Sequence, residues 1–268
     1  MSFLKRKANS ARRSPFAAAI VIALGVLLSG GGYAVASTVI TTESGQSVDL
    51  KDPKNISEGK KLFLANCASC HGQNAGGTSA APSLIGVGAA SVHFQVASGR
   101  MPAQGSGPQM PTKTPQFSEE QALQLAAYVA SLAPGPEIPS ASAVEANGNA
   151  TRGGQLFRTN CAMCHNAVGA GGALTEGKYA PSLMDTSATE IYEAMLTGPQ
   201  NMPVFNDANL TPTDKKDIIT YLTYVQKNPS PGGYELANLG PVVEGLFAWV
   251  FVLGLIIGIT VWLGAKSN

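Results

Sequence analysis

The residues best suited to chemistry lie in two pentapeptides, Cys67-Ala68-Ser69-Cys70-His71 and Cys161-Ala162-Met163-Cys164-His165. Together they use all four cysteines and two of the three histidines of the 268-residue chain. With two residues between them, the paired thiols fall on one turn of helix, where both can form thioethers with the vinyl groups of one porphyrin. The adjoining imidazole can then reach the iron as proximal ligand. A redox-active C-x-x-C, a zinc site or a disulfide framework accounts for a pair of cysteines, but none accounts for the histidine after both pairs. The pairs lie 94 residues apart in separate repeats, unlike the ligands of one tetrahedral zinc. The expectation is two covalently bound haem c groups, on Cys67/Cys70 and Cys161/Cys164, with His71 and His165 as proximal ligands.

The elements that must position these groups also repeat. Ser57 to Asn66 mirrors Thr151 to Asn160, with Gly, Leu-Phe and Asn in register, so each motif follows a helix that buries Phe63 or Phe157. Pro82-Ser83-Leu84 and Pro181-Ser182-Leu183 each follow a glycine-rich loop, where a proline carbonyl can accept from the proximal imidazole and set its tautomer. Short helices over 90–98 and 189–197 come next. Each repeat closes with a capped amphipathic helix, Gln121 to Leu132 after Ser118 and Lys215 to Gln226 after Thr211, which turns Tyr128 or Tyr221 inward. Each module has about eighty residues, few enough that a large planar cofactor serves as part of the core.

The second axial ligand is expected to be methionine. Bis-histidine ligation of two haems needs two more histidines, and only His93 remains. A soft thioether favours ferrous iron and a raised potential. Met202 follows the helix that ends at Gly198, and Met101 directly follows Gly99-Arg100. Met110 is the alternative to Met101: it lies 39 residues after His71, against 37 from His165 to Met202 and 30 from His71 to Met101. The helix-ending glycine favours Met101.

Segment 1–15 carries five basic residues and no acid, and 16–40 is uncharged and mostly apolar, long enough to span a bilayer. A cleaved signal peptide is the competing reading, with Ala34-Val35-Ala36 as the small-residue site. A Pro/Ser/Gly-rich linker at 134–150 separates a first haem domain at 55–133 from a second at 151–229. A second span is expected over 242–265, with Glu244 at its outer boundary. Two spans return both termini to the cytoplasm and leave the haem domains outside, where thioether attachment is completed. Residues 41–240 hold 12 Lys and Arg against 16 Asp and Glu, which gives no reason for a nucleic-acid partner and lacks the basic face of a mobile carrier. The expected architecture is all-α, two tandem class I cytochrome c domains flanked by transmembrane helices.

This plan, with Gly99-Arg100-Met101-Pro102 and Leu125-Ala126-Ala127-Tyr128-Val129, resembles the dihaem cytochrome cc subunit of the actinobacterial menaquinol:cytochrome c reductase over nearly the whole chain. In that family the Met of Gly-Arg-Met-Pro is the iron ligand, which implies Met101. The resemblance further implies a complex with cytochrome b, a Rieske iron-sulfur subunit and an aa3-type oxidase, in which the chain carries electrons from the Rieske centre to the oxidase copper. The chain alone is then a carrier, and the quinol:cytochrome c reductase around it is the enzyme. Alternatives are a dihaem subunit of a cbb3-type oxidase, the cytochrome subunit of a periplasmic dehydrogenase, and, from another class, a dihaem peroxidase, which needs a displaceable distal position.

Overall fold

This computed structural model describes Ile20, Leu24, Gly25 and residues 48–105, 107–228 and 241–266. Segment 1–15 lies outside the described residues, and so does the expected span 16–40 apart from those three.

The first repeat opens with α1 (Pro53–Asn66), started by Pro53 and by the Asp52 carboxylate, which accepts from the Lys54 amide at 2.8 Å. One helical turn, α2 (Ala68–His71), carries the first motif. Next come α3 (Gly88–Ala97) and α4 (Glu119–Leu132), the latter opened by a capping box between Ser118 and Gln121. A four-residue helix, α5 (Ala141–Val144), precedes the second repeat. That repeat runs α6 (Ala150–Asn160), α7 (Ala162–His165), α8 (Ala188–Thr197) and α9 (Pro212–Lys227). Capping boxes Ser187/Glu190 and Thr211/Asp214 open α8 and α9.

In each repeat the first and last long helices cross at a glycine. A Cβ on Gly59 would lie 1.8 Å from the Gln124 carbonyl oxygen, and one on Gly153 would lie 1.9 Å from that of Asp217. Only a residue without a side chain lets the backbones approach so closely. Beside each crossing the expected aromatics meet: Phe63 and Tyr128 have ring centroids 5.2 Å apart, and Phe157 and Tyr221 5.6 Å. Phe63 joins Val96, Leu125 and Val129 in one core, and Phe157 joins Ile191, Met195, Ile218 and Leu222 in the other.

Two features add detail to the expected plan. Within a mostly helical fold, Gly172–Ala173 (β1) and Tyr179–Ala180 (β2) form a short antiparallel ladder pairing Gly172 with Ala180 and Ala173 with Tyr179. In the second loop the proline lies sixteen positions after the histidine, against eleven in the first, and the surplus folds back on itself through left-handed Glu176 and Gly177. Segment 134–150, expected as a linker, is fastened at both ends: the Pro136 carbonyl accepts from the Ala90 amide at 3.1 Å, and the Asp217 carboxylate accepts from the Asn149 amide at 2.7 Å. Ala143 and Val144 of α5 pack on the second core between them.

The repeats meet through α3 and α8. His93 is the sixth residue of α3 and Glu193 the sixth of α8, and the imidazole Nδ1 lies 2.7 and 2.9 Å from the two Glu193 carboxylate oxygens. On the other ring nitrogen, Nε2 lies 2.9 Å from Glu119 at the start of α4.

At the C-terminal end, α10 (Pro241–Phe247), a π-helical stretch (Ala248–Leu253) and α11 (Gly254–Lys266) follow one another. Val242–Ala265 is apolar and, at 24 residues, long enough to cross a bilayer as a membrane anchor. Its large apolar side chains, Trp249, Phe251 and Trp262 among them, face outward.

Candidate haem-binding sites

Each motif turn holds its histidine over the proline expected to orient it. His71 Nδ1 lies 2.9 Å from the Pro82 carbonyl oxygen, and His165 Nδ1 lies 3.0 Å from that of Pro181. A carbonyl only accepts, so Nδ1 carries the proton in both rings, and the Nε2 lone pair is left for a metal. The loop between is tied alike in both repeats. Gly77 and Gly171 amides donate to the His71 and His165 carbonyls at 2.8 and 2.9 Å, and Leu84 and Leu183 amides donate to the Ala75 and Gly169 carbonyls at 2.8 and 2.7 Å. Burial lowers the His165 pKa against the opposing hydrogen bond to Pro181, which keeps the ring in its neutral, ligating form.

The sulfurs also fit covalent attachment. Burial, reinforced by the neighbouring sulfur of each pair, pushes the Cys67 and Cys161 thiols up to about 11. A surrounding that disfavours thiolate suits an uncharged thioether better than a thiolate-bound metal.

Cys161, Cys164, His165, Pro181 and Met202 share a cavity of about 870 Å³ whose apolar wall includes Phe157, Ile218 and Leu222. Part of that wall belongs to the other repeat, through Phe94, Arg100 and Gln109. Neither volume nor lining resists a large planar group with iron at its centre. In the first repeat Cys67 and Met101 pack against the Phe63 core as Cys161 and Met202 pack against the Phe157 core.

Met110 is used differently. Its amide donates to Gln200 Oε1 at 3.0 Å, and Gln200 Nε2 donates to its carbonyl at 3.1 Å. Beside it, Gln109 Nε2 donates to the Tyr179 carbonyl at 2.7 Å, and the Tyr179 amide donates to Gln109 Oε1 at 2.8 Å. The 109–110 segment is thus clipped backbone-to-amide onto the second repeat, whereas Met101, with its amide donating to Gln95 at 2.8 Å, stays with the first core.

Sequence reasoning left His93 without a role and did not single out Glu193. Burial alone would lower the His93 pKa, but the hydrogen bonds that the ring donates to Glu119 and Glu193 carry it up to about 10, so the ring is a cation at neutral pH. A signal was present, because His93 and Glu193 each interrupt a mainly apolar helix at the same place in the repeat.

Comparison with known proteins agrees with both motifs. Residues 56–133 match the family model for cytochrome c, and residues 148–222 match that for cytochrome c oxidase, cbb3-type, subunit III. The chain is similar to the cytochrome bc1 complex cytochrome c subunit of Corynebacterium efficiens, 44% identical over 98% of this chain and 94% of that protein. Its likeness to the subunit of the same description from Mycobacterium tuberculosis is 42%, over 92% of this chain and 90% of the relative. The Cbb3-type cytochrome c oxidase subunit FixP of Sinorhizobium medicae is 36% identical but matches over only 42% of this chain and 39% of its own length. A two-module chain carrying two covalent haem c groups and related end to end to the bc1 subunits leaves one assignment: it belongs to the family of cytochrome bc1 complex cytochrome c subunits.

Proposed function

We propose that the chain is the fixed electron carrier of a quinol-oxidising complex, taking electrons from a Rieske iron-sulfur centre and delivering them to the copper centre of an aa3-type oxidase. Each haem c supplies a one-electron iron couple. The protein's part is to hold the two groups and keep them in register. In this reading Cys67/Cys70 and Cys161/Cys164 form the thioethers, His71 and His165 are the proximal ligands, and Met101 and Met202 are the distal ones. The haem domains span 55–133 and 151–229 on the outer face of the membrane. The apolar segment 16–40 is an N-terminal span, Val242–Ala265 is the C-terminal span, and both termini are cytoplasmic. Cytochrome b, the Rieske subunit and the oxidase are the partners, and the reductase as a whole is the enzyme.

One observation carries the reading: residues of both repeats wall the cavity that contains Cys161, His165 and Met202. A mobile carrier needs one haem and a free surface. Two haem modules sharing a wall and tethered to a membrane instead favour relay within the chain.

The test is oxygen uptake by the purified complex with quinol and no soluble cytochrome c. Uptake is expected. Met202→Ala should abolish it while quinol still reduces the first haem. Dependence on added soluble cytochrome c, or uptake indifferent to Met202→Ala, would replace the relay with a docking subunit for a diffusing carrier.

A further inference from the structure

Arg100 is only 9% exposed, yet among the described residues no carboxylate pairs with its guanidinium. The group lies 4.8 Å from the centroid of the Phe94 ring, and residue and ring both line the 870 Å³ cavity of the second repeat. A buried cation without an anion is costly.

The position is built rather than accidental. Gly99 has φ +70°, and a Cβ there would meet the Lys113 carbonyl oxygen at 1.8 Å. Lys113 Nζ donates to the carbonyls of Gly99, Arg100 and Pro102, and the Met101 amide donates to Gln95. The loop therefore points one side chain out of the first repeat with little freedom to turn away. The other charged groups on the cavity wall, His165 aside, are Lys178, Asp185 and Glu190. Lys178 is paired with Glu176 at 3.5 Å, and Glu190 is occupied at the start of α8 by the Ser187 hydroxyl and amide. Arg100 is the buried cation left for whatever anion the cavity accepts.

That anion follows from the cofactor. Haem c is apolar over most of its faces and carries two propionate carboxylates at one edge, and a guanidinium fork matches a carboxylate in bidentate geometry. We propose that Arg100, a residue of the first module, binds a propionate of the haem attached to Cys161 and Cys164. The second haem site is then composite. This rests on the assignment of haem c to the second motif, and the readout separates the two.

The experiment uses the full-length holoprotein in detergent, with Arg100→Gln and Arg100→Lys beside the parent, and reads haem stoichiometry and the midpoint potential of each haem from pH 6 to 9. Two haems per chain in each variant keep the cofactor assignment intact. Removing the cation destabilises the reduced iron, so Arg100→Gln is expected to lower the reduction equilibrium constant of the second haem about tenfold, 59 mV for one electron, and to leave the first unchanged. The freed propionate should also make that potential depend on pH in the neutral range. Arg100→Lys keeps the charge but not the fork, so the potential should stay near the parent's while the propionate bending band of the second haem shifts in resonance Raman. If Arg100→Gln fails to assemble, that band in Arg100→Lys decides. Potentials and band that do not move, or a change confined to the first haem, would overturn the proposal.

Discussion

His93 and Glu193, a hundred residues apart and each the sixth residue of its helix, meet at 2.7 Å in a fully buried contact between the two repeats. Glu193 has no exposed side-chain surface and His93 almost none. Such a pair fixes how two modules sit together more strongly than it stabilises either one, because the charges lose hydration on burial and that loss is offset only when the two groups meet in the correct arrangement.

Breaking one side of this pair should cost more than removing both. His93→Leu alone leaves a carboxylate buried without its partner and should destabilise the chain by about 3–5 kcal/mol, whereas His93→Leu with Glu193→Leu should recover most of the loss. Denaturant unfolding of the detergent-solubilised holoprotein measures both. Additive effects would mean that the pair is not coupled.

The same cluster predicts the pH profile of the inter-module contact. The folded pKa of His93 is raised to about 10 from 6.5, so its contribution is complete below about pH 6.5 and is lost as pH rises towards 10. Glu119 works in the other direction. Its carboxyl is held below its usual range chiefly by the hydrogen bond to His93, so its contribution is present above its ordinary pKa of 4.5 and is lost on acidification. Burial raises the pKa of the Glu193 carboxyl against the opposing hydrogen bond to His93, so its contribution is present below its ordinary pKa of 4.5 and falls as pH rises, in the same direction as that of His93. Thermal stability should therefore decline from neutral pH into the alkaline range. His93→Leu should flatten the alkaline limb, and an unchanged limb would place its cause elsewhere.

Met101→Ala and Met202→Ala should each remove about half of the near-infrared sulfur-to-iron band of the oxidised protein, as expected for one of two thioether ligands. Met110→Ala should leave the band whole, because that residue meets the second module through its backbone, which alanine retains. Loss of the band in Met110→Ala would transfer the ligand assignment to the spacing-based alternative.

Gly59→Ala and Gly153→Ala each place a carbon within 2 Å of a carbonyl oxygen on the facing helix. Each should cost at least about 1–3 kcal/mol, the range for an overpacked core, and reduce the yield of holoprotein. Gly105→Ala, with nothing within 4 Å, serves as control and should change little. Equal effects at all three positions would remove the close crossing as the cause.

What could be read in advance was local. The caps at Ser118 and Thr211, the histidine-proline pairing and the aromatic at each helix crossing all depend on residues within one repeat, and the repetition doubled each signal. What escaped lies between repeats. Gln109 with Tyr179 and Gln200 with Met110 are amide-to-backbone bonds, for which glutamine has no distinctive pattern, and they span 70 and 90 residues. His93 reads as one polar interruption of an apolar helix until the second helix lies beside it. The hairpin of the second loop was hidden for another reason, since strands of two residues are too short to show alternation.

The shared wall of the second cavity has a consequence for biogenesis. In a chain that emerges N-terminus first, Phe94 and Arg100, held by elements of the first repeat, are expected to be set before Cys161 and Cys164 arrive, whereas Gln109 is fixed only once Tyr179 is there to hold it. The earlier domain thus acts as an internal template for the later one. Grafting the second repeat onto an unrelated single-haem cytochrome would remove Phe94 and Arg100 from the wall of its cavity.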